Sequence, residues 1–360
     1  MKIAIISVTK QGALLGQKLA GAMLAENECS IYEKEDRQSG GQATAYNRLR
    51  PLLHDIWKSY DAFVFIMAVG IVVRDISPFL QHKSVDPAVI VIDEKGLNCI
   101  SLLSGHLGGA NDLTHKIASL LGANPVITTA SDINGKVVPD AIAKKLNYTI
   151  ESYTVLKKVN GCIVANEKIG CFVDDNLPEK DEFINSAREL GMDFSVWQKS
   201  SDISDNKGIV YLSECEDKLP FENTLYLRPK SIIAGIGCKR GMSEDIIKKA
   251  LLMAFEKLGI NSKCLRAICS AWVKSDEEGL LSLADSMKVP IHFYDKAMLE
   301  KTIVAYNLEK SDFVEKQIGV GNVCEAAAMS FAGQITLIKG KESYGGVTIA
   351  LARTNFLSQE

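Results

Sequence analysis

The stretch Leu102-Leu103-Ser104-Gly105-His106-Leu107-Gly108-Gly109-Ala110-Asn111-Asp112 constrains the fold more than any other part of the chain. Apolar, strand-like residues lead into it and an amphipathic helical pattern leads out. The junction is a strand-to-helix turn, and Gly105, Gly108 and Gly109 let its backbone come close to a ligand. The helix that follows turns its free N–H groups and positive dipole end toward the loop, which suits an anionic ligand. A histidine among those glycines can act as a general base or donate to a carboxylate near neutral pH. Ser104, Asn111 and Asp112 add groups that hydrogen-bond or carry protons. The plainer alternative is a turn whose glycines supply only geometry and whose Asn111 and Asp112 cap the helix.

At 360 residues the chain exceeds a single core, so two or three domains are expected. Hydrophobic residues make up 47 % and charged residues 24 %, as in a folded globular protein. Lys and Arg total 41 against 44 Asp and Glu, a net charge of −3, which gives no basic footprint for nucleic acid. The N-terminal apolar run is too short for a signal peptide. Residues 62–73, the longest apolar stretch, are interrupted by Gly70 and followed by Arg74, so no membrane span is expected. The nine cysteines are scattered without a C-x-x-C pair and read as reduced thiols of a cytoplasmic protein. The five histidines show no metal-ligand spacing, so no metal site is expected.

The predicted fold class is α/β, in three parts. Residues 1–146 alternate strands (3–7, 30–33, 62–67, 88–92, 99–103, 125–128) with helices (12–24, 44–58, 107–121, 139–146), and Pro51 should end or kink the second helix. Near-continuous apolar strands predict a parallel sheet covered on both faces. Residues 147–229 read as a small middle α/β domain with short strands at 161–165, 170–174 and 208–212. Residues 230–360 read as a second βα unit, closed by an antiparallel pair at 335–339 and 346–352.

Other motifs are ligand-competent. Thr128, Thr129 and Ser131 follow a strand end, where open α/β sheets bind ligands, although Ser131 and Asp132 could equally cap a turn. Gly70 ends another strand, and Arg74 can hold a carboxylate bidentately or form a surface ion pair. Gly235, Gly237 and Cys238 look like the start of a dinucleotide fingerprint but lack its acidic partner. Gly321, before a helix bearing Glu325, fits tight packing or an anion cradle. Residues 9–16 have the shape of a phosphate loop without its Gly-Lys-Ser/Thr ending. Ser104 is a weaker nucleophile candidate, because Leu-Ser-Gly-His is not a nucleophile elbow. A water activated by His106 is the simpler chemistry.

These residues resemble a known family. LLSGHLGGANDLT followed by PVITTASD is similar to the N-terminal domain of the CbiG family, the cobalt-precorrin-5A hydrolases of anaerobic cobalamin biosynthesis. GIGCKRG, GVGNVCEAAA and residues 343–350 resemble the C-terminal CobE/CbiG domain. The resemblance implies a cytoplasmic hydrolase that opens the δ-lactone of a cobalt-corrinoid substrate, releases acetaldehyde and yields cobalt-precorrin-5B. It implies no protein cofactor, since the cobalt belongs to the substrate.

His106, with Ser104 or Asp112, is then the expected catalytic group. The expected substrate contacts are Gly70, Arg74, Gly105, Gly108, Gly109, Asn111, Thr128, Thr129, Ser131, Gly235, Gly237, Cys238, Gly321 and Glu325. Backbone N–H groups of Gly108 and Gly109 are expected to hold the oxyanion. A wide macrocycle also suggests a cleft between domains. A homodimer and transient contacts with other corrin-pathway enzymes are carried as expectations. The alternatives are a non-catalytic corrinoid carrier, or an α/β enzyme that binds a nucleotide or sugar phosphate.

Overall fold

The computed structural model describes residues 1–355 apart from 83–84, 107, 199–202 and 334. The chain separates into two compact units, residues 1–144 and 145–360. The first holds one seven-stranded sheet: β1 (Lys2–Ser7), β2 (Glu28–Lys34), β3 (Thr44–Tyr46), β4 (Ala62–Ile66), β5 (Ala88–Ile92), β6 (Asn98–Leu103) and β7 (Asn124–Val126), in the order β3-β2-β1-β4-β5-β6-β7. Its helices are α1 (Lys10–Met23), α2 (Leu49–Ile56), α3 (Val69–Ile76), α4 (Ala110–Leu121), α5 (Ala130–Ile133) and α6 (Pro139–Lys145).

Successive side chains of a strand point to opposite faces. Ile3, Ile5, Val64 and Ile90 pack with Leu19 and Ile117 on one face. Ala4, Ile6, Phe63, Phe65 and Val89 pack with Leu53 and Val72 on the other. Both faces are buried, which explains the unbroken apolar runs.

The sheet departs from the all-parallel expectation at one junction, where β6 runs antiparallel to β5. Only residues 93–97 connect them, and a parallel crossover needs a dozen or more residues. The Asp93 carboxylate accepts the N–H groups of Lys95 (3.0 Å), Leu97 (3.2 Å) and Asn98 (2.6 Å) and so fixes the turn. β7 is parallel to β6. Both strands therefore end at the edge where β4 and β5 begin.

Three local expectations change. Residues 44–58 are not one helix: β3 precedes α2, and Pro51 stands in the first turn of α2, where its missing N–H costs nothing. The helix expected over 107–121 begins at Ala110, and Leu107 lies outside the described residues. Residues 161–165, read as a strand, belong largely to a helix, Tyr153–Val164. The Ser152 side chain caps it, and Leu156, Val159 and Ile163 bury one face.

The second unit carries two sheets. One is β8 (Tyr148–Ile150), β9 (Ile169–Val173), β10 (Ser195–Val196), β11 (Gly208–Leu212) and β12 (Thr224–Pro229), in the order β10-β9-β11-β12-β8. Its helices are α7 (Tyr153–Val164) and α8 (Lys180–Glu189). The other is β13 (Ile232–Cys238), β14 (Leu265–Ala271), β15 (Ile291–Tyr294), β16 (Ile335–Tyr344) and β17 (Val347–Thr354), in the order β15-β14-β13-β17-β16. Helices α9 (Glu244–Glu256), α10 (Glu278–Met287), α11 (Lys296–Ala305), α12 (Asp312–Ile318) and α13 (Cys324–Met329) go with it.

β13, β14 and β15 are parallel, while β16 and β17 form the expected antiparallel pair. Buried Glu214 joins the two sheets by accepting from Ser231 Oγ and Arg353 Nη2, both at 2.5 Å. Among the described residues no helix is long and apolar enough to cross a membrane.

Candidate active site

The loop after β6 is held by its own backbone. Ser104 adopts a left-handed conformation (φ 59°), and its hydroxyl donates to the Asp86 carbonyl at 3.0 Å. The N–H groups of Ala110 and Asn111 return to the carbonyls of Ser104 and Gly105, each at 3.1 Å. Gly109 (φ 84°) then turns the chain into α4. A side chain on Gly108 would collide with Ser104, and one on Gly105 would stand 2.8 Å from Asn111 Oδ1. Both glycines are therefore required by the compactness of the loop as well as by any ligand.

His106 lies on this turn with its side chain 15 % exposed. Its Nε2 is 2.8 Å from Ser131 Oγ and 3.2 Å from Asp132 Oδ2. Ser131 and Asp132 follow β7, and because β7 parallels β6 they leave the sheet at the same edge. Asn111, only 3 % exposed, ties the parts together. Its amide donates to Asp132 Oδ2 (3.0 Å) and Thr129 Oγ1 (3.3 Å), while its carbonyl accepts from Ser101 Oγ (2.6 Å). A donating Nε2–H places the imidazole lone pair on Nδ1, the arrangement a general base needs.

The structure thus gathers His106, Asn111, Thr129 and Ser131 with the loop glycines, and it adds two groups that sequence reasoning missed. Asp132, weighed only as a turn cap, is the carboxylate against His106. Asp112, exposed in the first turn of α4, acts electrostatically on Lys144. The Lys144 ammonium lies where a side chain on Gly109 would stand. Burial lowers its pKa, and Asp112 opposes that shift. The signal for Asp132 was present in Thr-Thr-Ala-Ser-Asp, but its pairing with a residue 26 positions earlier needs the β6–β7 adjacency. Thr128 is exposed beside this cluster.

Gly70 and Arg74 are not part of it. They belong to α3 after β4, at the opposite edge of the sheet, because the antiparallel β6 carries its loop the other way. Gly70 is helical, and Arg74 Nη1 folds back onto its carbonyl at 3.1 Å.

In the third sheet a cavity of about 540 Å³ opens at the carboxyl ends of β13 and β14. Gly237, Cys238 and Gly321 line it, together with Lys239, Lys274 and Lys341. Burial raises the Cys238 thiol pKa. Lys274 pairs with buried Glu277 at 3.1 Å. Gly235 and Glu325 do not line this cavity. A side chain on Gly235 would collide with the Cys324 carbonyl, so its role is to let α13 lie on β13. Glu325 is buried and accepts from the Lys341 backbone N–H (2.8 Å) and the Asn322 amide. Among the described residues no group of three His, Cys, Asp or Glu side chains is arranged to hold a metal ion.

Comparison with known proteins matches three family models along the chain. They are cobalamin synthesis G N-terminal (residues 51–132), cobalamin biosynthesis central region (138–229) and cobalamin synthesis G C-terminus (232–352). A cobalt-precorrin-5A hydrolase of Priestia megaterium is 33 % identical over 97 % of this chain and 94 % of its own. One from Salmonella typhimurium is 33 % identical over 97 % of each. The solved structure of CobE, a protein of the cobalamin pathway, is 34 % identical over 35 % of this chain and 92 % of its own, with a TM-score of 0.33. Consecutive family models and near-full-length relatives agree, and the chain belongs to the CbiG, or cobalamin synthesis G, family.

Proposed function

We propose that the chain is a cobalt-precorrin-5A hydrolase of anaerobic cobalamin biosynthesis, working in the cytoplasm. The observation that carries the reading is the His106 imidazole held by Asp132 and Ser131 on a glycine-rich turn. The relatives described as cobalt-precorrin-5A hydrolases support it.

With Nε2–H donated to Asp132, Nδ1 takes a proton from water as its oxygen adds to the lactone carbonyl. Backbone N–H groups of Gly108 and Gly109 hold the oxyanion. The tetrahedral intermediate collapses with cleavage of the ring C–O bond, and the alkoxide leaving group takes the proton back from His106. The product is a carboxylate and an alcohol.

In the second step the alcohol loses its proton and its C–O bond becomes C=O as the adjoining C–C bond breaks. Acetaldehyde leaves, and the electron pair and a proton remain with the macrocycle. Asp132 keeps the imidazole oriented through both proton transfers. The Ser104 hydroxyl, already committed to Asp86, supports the turn while water attacks. Lys144 faces the same backbone and favours a substrate carboxylate there. In the second unit, Gly237, Cys238 and Gly321 line a cavity whose Lys239, Lys274 and Lys341 suit corrinoid carboxylates. Cobalt arrives and leaves with the substrate, and no protein cofactor takes part.

Anaerobic incubation of the purified protein with cobalt-precorrin-5A should release acetaldehyde stoichiometrically. Folded protein that binds the corrinoid and releases none would replace the hydrolase reading with a carrier.

A further inference from the structure

Arginine is unevenly placed in the first unit. Residues 1–144 contain four: Arg37, Arg48, Arg50 and Arg74. All stand around the carboxyl ends of β1, β2 and β4, away from His106. Arg37 donates to the Val8 carbonyl (3.2 Å), Arg50 to the Arg74 carbonyl (2.9 Å) and Arg74 to the Gly70 carbonyl (3.1 Å).

Here a groove of about 720 Å³ runs past Val8 between α2 and α3. Its wall carries Lys34, Arg48, Arg50 and His54 with one lining carboxylate, Asp75, which pairs with Arg50 at 3.4 Å, while His54 lies 3.1 Å from Asp55. Ile71 and Phe79 supply an apolar side. Arg48 is exposed and has no ion pair among the described residues. A guanidinium has five N–H donors, so one or two bonds to carbonyls leave others for a carboxylate. The groove also opens where the strand order reverses, since β1 lies between β2 and β4. Ligands of open α/β sheets bind at such reversals.

We propose that this groove binds a small organic anion with two or more carboxylates on an apolar body. It is distinct from the His106 cluster, which lies at the other end of the strands, roughly 16 Å away for a five-residue strand. The proposal does not depend on the hydrolase reading. The carboxylates can come from the acid side arms of a corrinoid or from a separate polycarboxylate.

Calorimetric titration of the full chain with cobyrinic acid, citrate and inorganic phosphate separates these sources. We expect wild-type protein to bind cobyrinic acid, citrate or both. Arg48→Ala should weaken that binding roughly 10- to 100-fold, the effect of losing one charge-assisted hydrogen bond. Loss confined to cobyrinic acid identifies the corrinoid, and parallel loss of citrate identifies a general polycarboxylate site. Lys34→Ala serves as a second variant, with the thermal midpoint checked for each. Absence of carboxylate binding by the wild type, binding of phosphate alone, or unchanged affinity in both folded variants would overturn the proposal. Acetaldehyde release, measured in parallel, tests the hydrolase reading separately.

Discussion

Two glycine-rich segments of this chain carry similar signals and serve different ends. Residues 104–112 and 235–238 both place glycines at or near a strand end. In the first, the glycines close a turn around polar side chains, and a histidine, an asparagine and a distant aspartate converge on it. In the second, Gly235 and Gly237 make room for α13, whose Cys324 packs where their side chains would be. Glycine alone therefore does not mark a ligand. What distinguishes the first segment is the convergence of His106, Asn111 and Asp132 on its turn.

The sharpest way to break this contrast is His106→Ala. We expect turnover of cobalt-precorrin-5A to fall roughly 10²–10⁴-fold with the thermal midpoint nearly unchanged. A kinetic assay beside a melting curve decides it, and full turnover would remove His106 from the chemistry. Gly235→Ala should do the reverse. It overpacks the α13–β13 contact and costs the second unit about 1–3 kcal/mol, measurable by denaturant unfolding, with kcat per folded molecule retained. A stable Gly235→Ala protein with a lowered kcat would make the two segments functionally alike.

Asp132→Asn keeps the shape at His106 but removes the charge, and should lower kcat at least about tenfold, or ~1.4 kcal/mol. Asp112→Asn should leave kcat within about twofold, a barrier change well under 1 kcal/mol. Equal effects of the two would leave Asp132 with no role distinct from that of Asp112.

The smallest effect lies in the middle sheet. Burial pushes the Glu151 pKa up, but Lys218 and Arg228 outweigh it and hold the carboxyl below its ordinary value. A depressed folded pKa adds stability that is present above the unfolded value of about 4.3 and is lost as pH falls through the folded one. The second unit's thermal midpoint should therefore drop on acidification in the wild type and depend less on pH in Glu151→Gln. An identical pH profile in both proteins would dissociate Glu151 from acid stability.

Much of the fold was legible. Apolar runs at Ala62–Ile66 and Ala88–Ile92 announced buried strands because both faces of the first sheet are covered. The closing hairpin followed from glycine placement, whereas the helix expected from 107 begins only at Ala110, after Gly109 turns the chain. The reversal of β6 was legible too, since residues 93–97 are too few for a crossover, but apolarity alone does not carry strand direction. That omission joined Arg74 to the His106 site and left Asp132 out of it. Tertiary adjacency decided both, and no local pattern reports it. The strand misread over 161–165 shows the same limit on a smaller scale, because Gly161 weakens a helix that Ser152 and its buried stripe nonetheless secure.

The Asp93 turn also bears on the order in which the chain assembles. β5 and β6 close on each other through contacts about fifteen residues apart or fewer, a low-contact-order event that can precede the long crossovers of β1, β2 and β4. β7, three residues long, forms the margin of the sheet and pairs with β6. His106 follows the local hairpin, while Ser131 and Asp132 follow the marginal strand. The imidazole thus keeps its carboxylate only while this short marginal strand is in place. Amide exchange at β7 should then rise as turnover falls in variants that loosen this margin, making the proton-handling pair a gauge of how firmly it is closed.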